Sequence, residues 1–222
     1  MARRHIVITG TGRAGTSFLV QLLTKLGLPT GFSPDQLHRE GQWKDIARAG
    51  LEHDIRAENA PYVVKSPWFC DYAEEVLQRD DIIIEHVFIP VRDLYQAAES
   101  RRFAQRQAVI RLPILQRIKH ALRSMAFHGG LWHTSNPAEQ ESILARELYK
   151  LVFALSDAMI PVTLMRFPRL ARDPEYLYRK LCPVLAGIDY AHFEKVFQQT
   201  VRPEWIHQFP TSADTSKTRK AA

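Results

Sequence analysis

A short β-branched run, Ile6-Val7-Ile8, passes directly into a turn carrying three glycines, Thr9-Gly10-Thr11-Gly12-Arg13-Ala14-Gly15. That junction constrains the fold more than any other stretch of the chain. The run has the composition of a strand buried on both faces, as in a parallel sheet. Beyond the turn, from Thr16 to Leu26, Phe18, Leu19, Leu22, Leu23 and Leu26 recur at helical spacing. Strand, glycine loop and helix N-terminus in this order make an anion site, because converging backbone N–H groups and the positive end of the helix dipole both favour negative charge. The spacing from Gly10 to Gly15 is that of a P-loop, G-x-x-x-x-G. Thr16 stands where the nucleoside-triphosphatase signature has Lys, and the cation lies inside the loop as Arg13. A βα turn that binds nothing is the alternative reading; three glycines with a cation favour a phosphate or sulfate site.

At 222 residues the chain suits one α/β domain, placed at 1–210, with 211–222 a polar, basic tail expected to be disordered. No apolar run approaches the ~20 residues of a membrane span. The basic first residues lead straight into the strand and do not form a signal peptide, so the chain reads as cytoplasmic. Cys70 and Cys182 have no metal-like spacing. A net charge of +6 favours anionic ligands or surfaces without naming one.

Gly27, Pro29, Gly31 and Pro34 end the first helix and open a loop. Residues 32–45 are dense in functional groups, among them Asp35, His38, Glu40 and Trp43, and form either a wall of the site or a solvated loop. Ile46 to Glu58 reads as a polar helix. Pro61 to Lys65 is a strand halted by Pro67, and Asp71 to Arg79 a helix. Ile82 to Val91 is a second apolar strand, interrupted by Glu85 and His86 and followed by Arg92, Asp93 and a helix past Ser100. If these strands are parallel neighbours, Gly12/Arg13, Lys65 and Arg92 share the carboxyl edge of the sheet, where ligands bind. Between Ser100 and Ala138 stand seven Arg or Lys residues and no carboxylate. Such a block is either a solvated helix face or a contact for an anionic partner. A helix reaching Met159, a strand Val162–Phe167, a helix opened by Asp173-Pro174 and closed by Gly187, and a last helix Asp189–Gln199 complete the expected order.

This constellation resembles the PAPS-dependent sulfotransferases, which take 3′-phosphoadenosine-5′-phosphosulfate as sulfuryl donor. Ile8 to Ser17 is similar to that family's 5′-phosphosulfate loop, and Arg92 with Ser100 eight residues on is similar to its 3′-phosphate motif. Lys65-Ser66-Pro67 resembles the strand-end Lys motif between them, and Leu164–Leu170 with Asp173-Pro174-Glu175 the late strand and helix. The resemblance covers about half the chain. It implies a P-loop, three-layer αβα fold around a parallel sheet of about five strands, and PAPS as co-substrate without a metal. Gly12, Arg13, Ala14, Gly15, Thr16 and Ser17 would hold the 5′-phosphosulfate, Arg92 and Ser100 the 3′-phosphate, with Arg202 a late contributor.

The animal enzymes carry a His where this chain has Pro67. The resemblance to bacterial and carbohydrate relatives therefore implies a general base after the first helix, Asp35 or Glu40 with His38 as rival. Arg13 would stabilise the transferring group and Lys65 the leaving phosphate, with a hydroxyl or amine of a small molecule, glycan or lipid as acceptor, expected to be anionic. Trp68, Phe69, Tyr95 and Trp132 are acceptor-wall or core residues on this reading. Two rivals stand beside it: a P-loop kinase, against which Thr16 and the missing Mg²⁺ acid argue, and a non-catalytic phosphate- or nucleic-acid-binding module, for which no motif is present.

Overall fold

The computed structural model describes residues 2–37, 43–44, 49–113 and 129–210. Strand β1 (Arg3–Ile8) leads through the glycine loop into helix α1 (Thr16–Lys25), and a short antiparallel pair follows, β2 (Trp43–Lys44) and β3 (Ala49–Gly50). Then come β4 (Val63–Lys65), α2 (Ala73–Leu77), β5 (Ile82–Val91), α3 (Leu94–Ile110) and α4 (Gln140–Asp157). Strand β6 (Val162–Arg166), α5 (Pro174–Leu181) and α6 (Tyr190–Thr200) close the order. β4, β1, β5 and β6 form an all-parallel sheet in that order, second-first-third-fourth along the chain, flanked by helices. The parallel sheet therefore has four strands among the described residues, where about five were expected.

Register fixes the working edge. Ile8 pairs with Lys65 on one side and Phe88 on the other, and the pairing runs past the strand end through Ser66 N to Ile8 O and Thr9 N to Phe88 O, each 3.0 Å. β5 continues to Val91, so the glycine loop, Lys65 and Arg92 emerge side by side from parallel neighbours. The interruption at Glu85 is a bulge: His5 pairs with Ile84 and Ile6 with His86, leaving Glu85 to accept from Arg4 and from the Tyr62 hydroxyl at 2.6 Å.

Alternation along the strands divides the core in two. Ile6, Ile8, Phe88 and Met165 pack with Leu19, Leu22 and Leu23 of α1 and with α5 and α6, where Leu177, Leu181, Phe193 and Phe197 lie. Val7, Val64, Val87 and Ile89 pack on the opposite side with α2, α3 and α4. Side chains of this size contribute about 1.5–3 kcal/mol each when fully buried.

Two boundaries differ from the sequence reading. The polar helix over 46–58 is not formed in its described part. Gly50 takes φ 144° and Leu51 φ 66°, conformations no helix accepts. Asp54 turns the chain on itself by accepting from Arg56 N at 3.0 Å, and Leu51 and Ile55 are buried separately. The helix opened by Asp173, whose carboxylate accepts from Tyr176 N at 2.9 Å, stops at Leu181 and tightens over Cys182–Val184, where Pro183 offers no N–H. Among the described residues, no helix is long and apolar enough to cross a membrane. The basic tail, His38, Glu40 and the middle of the basic block lie outside the described residues.

Candidate functional site

The loop between β1 and α1 is built on left-handed backbone. Gly12 has φ 64°, Arg13 φ 57° and Gly15 φ 90°. A Cβ on Gly12 would come within 2.8 Å of Arg101 Nη2, and one on Gly15 within 3.2 Å of Leu170 and Phe167, so close packing as well as φ calls for glycine at both. Gly15 caps α1 without a side-chain bond, and no acidic residue lies in the first turn. The leading N–H groups of the helix are thus left for an anion.

A cleft opens over this loop, enclosing about 1090 Å³ including the part open to solvent. Gly12, Arg13, Gly15, Thr16, Ser17, Lys65, Arg92 and Ser100 all line it. Eight of the residues singled out in the sequence are therefore brought together. Ala14 is instead completely buried beneath the loop.

The cations are held from below. Arg13 Nε donates to Ser100 Oγ at 3.1 Å, joining the glycine loop to α3. Arg92 Nη1 donates to the Arg13 carbonyl at 3.1 Å, its Nη2 to the His207 carbonyl, and its guanidinium lies 5.2 Å from the centre of the Phe167 ring. Arg101 is buried under the loop, with Nη2 2.6 Å from Thr11 O, Nη1 2.8 Å from Gly130 O and the Trp132 ring at 5.1 Å. Burial pulls the Arg92 and Arg101 pKa values below the ordinary value, and the Arg13 charge lowers Arg101 further. Guanidinium groups nonetheless stay protonated in proteins. Among the described residues, the hydrogen-bond partners of these two guanidinium groups are neutral carbonyls, which hold them in place without an ion pair.

Lys65 is the buried cation of the opposite wall. Its Nζ donates to Ser17 Oγ at 2.7 Å, to Glu52 Oε1 at 2.9 Å and to the Gly50 carbonyl. Burial lowers its pKa, with Glu52 opposing. Glu52 is the carboxylate that lines the cleft.

Other assignments fall elsewhere. Asp35 sits exposed in the turn Pro34–Gln36, where Ser33 Oγ lies 3.4 Å from Oδ2, and it is not among the cleft residues. Trp68 lines the cleft; Phe69 is core, Trp132 covers Arg101, and the Tyr95 hydroxyl donates to the Pro210 carbonyl at 2.8 Å. Arg202 reaches the cleft rim, donating to Val201 O at 2.9 Å. The basic block is less free than its sequence implies: Arg102 bonds Glu99 at 2.7 Å and Glu141 at 3.1 Å, carboxylates from either flank of the block.

Glu52 and Gln21 line the cleft without having been singled out, and so does Arg101, which the sequence marked only as the neighbour of Ser100 and the first cation of the basic block. For Arg101 a signal existed, since Ala97, Ala98 and Ala104 at helical spacing put position 101 on the buried face of α3. For Glu52 the sequence carried none; the return of the chain to β4 places it.

No family model, curated protein or solved structure matches this chain. Functional inference therefore rests on the cleft.

Proposed function

We propose that this chain is a PAPS-dependent sulfotransferase with the P-loop, three-layer αβα architecture, moving a sulfuryl group from PAPS to a hydroxyl or amine. One observation carries the reading: Arg13, Lys65, Arg92 and Arg101 converge on a glycine loop at a helix N-terminus, in a cleft whose lining includes Glu52 as its carboxylate. Such a cleft selects a polyanion with two separated anionic groups. The loop N–H groups and Arg13 take the 5′-phosphosulfate; Arg92 and Ser100, linked to the loop through Arg13, take the 3′-phosphate. The base of the nucleotide then lies along the 200–207 segment, which runs from the end of α6 to the His207 carbonyl that Arg92 holds.

The wall over β4 is left for the acceptor. There Glu52 replaces Asp35 as general base, and it takes the acceptor proton as the hydroxyl or amine attacks sulfur in line with the departing phosphate oxygen. The S–O bond to the nucleotide breaks, and Lys65 and Arg13 stabilise the charge gathering on the bridging and equatorial oxygens. Of the described cations of the basic block, Arg101 and Arg102 are engaged internally, whereas Arg106 and Arg111 are exposed and remain available to an anionic acceptor.

Calorimetric titration with 3′-phosphoadenosine 5′-phosphate beside AMP, ADP and ATP tests the reading. The 3′-phosphorylated nucleotide is expected to bind tightest. Arg92→Ala is expected to weaken it by about 1.5–3 kcal/mol, the scale of hydrogen bonds to charged groups, with AMP little affected. Equal losses for both nucleotides would remove the 3′-phosphate assignment.

A further inference from the structure

Gln21 lies on α1 one turn beyond Ser17 and lines the cleft, to which the 200–207 segment also contributes. It is 4% exposed, and its Nε2 is buried without a hydrogen-bond partner among the described residues. An unpaired amide at such a position opposes folding, and a leucine would fill the same helix face without that penalty. Apolar side chains share the cleft lining with it, Phe18 from the same helix and Val201, Trp205 and Ile206 from the 200–207 segment, beside the polar Thr200, Arg202 and His207. An unpaired amide in a cleft that also carries these apolar and aromatic side chains suits a flat heterocycle with a polar edge.

We propose that Gln21 reads the hydrogen-bonding edge of the nucleotide base. The proposal rests on the nucleotide reading given above and adds the residue that selects the base. A carboxamide presents a donor and an acceptor side by side. Adenine presents the complement, an amino group beside a ring nitrogen, which is how glutamine reads adenine in nucleic acid. The location agrees: with a 5′ anion on the glycine loop and a 3′ anion at Arg92, the base falls against the segment that ends at His207. The bound base supplies the partner that Gln21 lacks in the free protein.

Binding is measured by calorimetry on the full chain and on Gln21→Met, which keeps the volume and removes the amide. The ligands are two pairs: AMP with ribose 5-phosphate, and 3′-phosphoadenosine 5′-phosphate with 1-deoxyribose 3,5-bisphosphate. The variant is expected to lose affinity about tenfold or more for both base-bearing ligands and to bind both base-free ones as before. Its melting temperature should hold or rise, because an unpaired buried amide has gone; that sign separates base recognition from a structural role. Unchanged affinity for the base-bearing ligands overturns the proposal, as does an equal loss across each pair. So does a wild-type protein that gains nothing from the base. If the wild type binds AMP and its 3′-phosphorylated form equally, the 3′-phosphate assignment falls alone, and the AMP pair still decides the role of Gln21.

Discussion

Glu52→Gln probes the cleft at its most costly point. The Lys65 ammonium is fully buried and donates to Ser17 Oγ at 2.7 Å, to Gly50 O and to Glu52 Oε1 at 2.9 Å. The first two acceptors are neutral, so removing the carboxylate strands a charge out of water. Stranding one partner of a buried pair costs about 3–5 kcal/mol. Because the Glu52 side chain is 19% exposed, water recovers part of this, and the expected loss is ~3 kcal/mol at the low end of that range. For a domain of this size that corresponds to a fall of roughly 6–12 °C in melting temperature. Lys65→Met removes the charge together with its desolvation, leaving Ser17 Oγ and Gly50 O without their donor at a cost of about 1–3 kcal/mol. The double variant should therefore lose less than the two single losses combined, by at least ~1 kcal/mol. Urea unfolding of the four proteins, followed by far-ultraviolet circular dichroism at a shared slope, reads all the terms. Additivity within ~0.5 kcal/mol would refute the reasoning, since Lys65 would then not depend on Glu52.

The same lysine gives stability a pH dependence. Its folded pKa lies below 10.5, so the unfolded chain binds the extra proton between the lowered value and 10.5, and stability should rise with pH across that window. A Lys65→Met protein should lack this rise, and a wild-type midpoint that fell instead would contradict it. Gly12→Ala should destabilise beyond the ~1–2 kcal/mol of left-handed strain and weaken phosphate binding, because its Cβ meets Arg101 at 2.8 Å. Gly27→Ala, at φ +85° with open space around it, supplies the control for strain alone, and equal effects of the two would rule out the steric contribution. Native protein should react with Ellman's reagent at Cys182, which is exposed, and not at Cys70, whose buried thiol is pushed up by burial and by Asp71; two fast equivalents would count against this placement. Sulfuryl transfer should continue in excess EDTA, with the Arg13 and Lys65 side chains supplying positive charge; activity abolished by chelation and restored by Mg²⁺ would favour the kinase reading.

What was legible in the sequence is what local chemistry determines. Ile6-Val7-Ile8 followed by three glycines could form little other than a buried strand and an anion loop, and Asp173-Pro174 marked a helix start that the structure keeps. The sequence placed Lys65 and Arg92 at strand ends; that their strands are parallel neighbours of the first strand, in the order observed, comes from the structure. The place of Glu52 in the cleft lining was not legible. Asp35 stood in the expected stretch of sequence, but the turn at Pro34 holds it away from the cleft lining, while Glu52 enters through a segment whose helical composition Gly50 and Leu51 override. The amphipathic look of the basic block concealed Arg101, a buried brace among charges that resembled a solvated face. Charge pattern reports composition along a helix; it does not report which side faces inward.

The grip of α3 on the 207–210 segment has a consequence for how the site comes into being. Gln96 accepts from Phe209 N at 2.9 Å and donates to Phe209 O at 2.6 Å, Tyr95 reaches Pro210, and Arg92 holds His207. One wall of the cleft is thus made by the first residues of the chain and the facing wall by residues almost two hundred positions later. During synthesis the glycine loop emerges early, yet its anion cradle stays open on one side until residue 207 has left the ribosome and docked. No shorter nascent chain has the finished cleft, whose last wall is completed only by the seating of that segment.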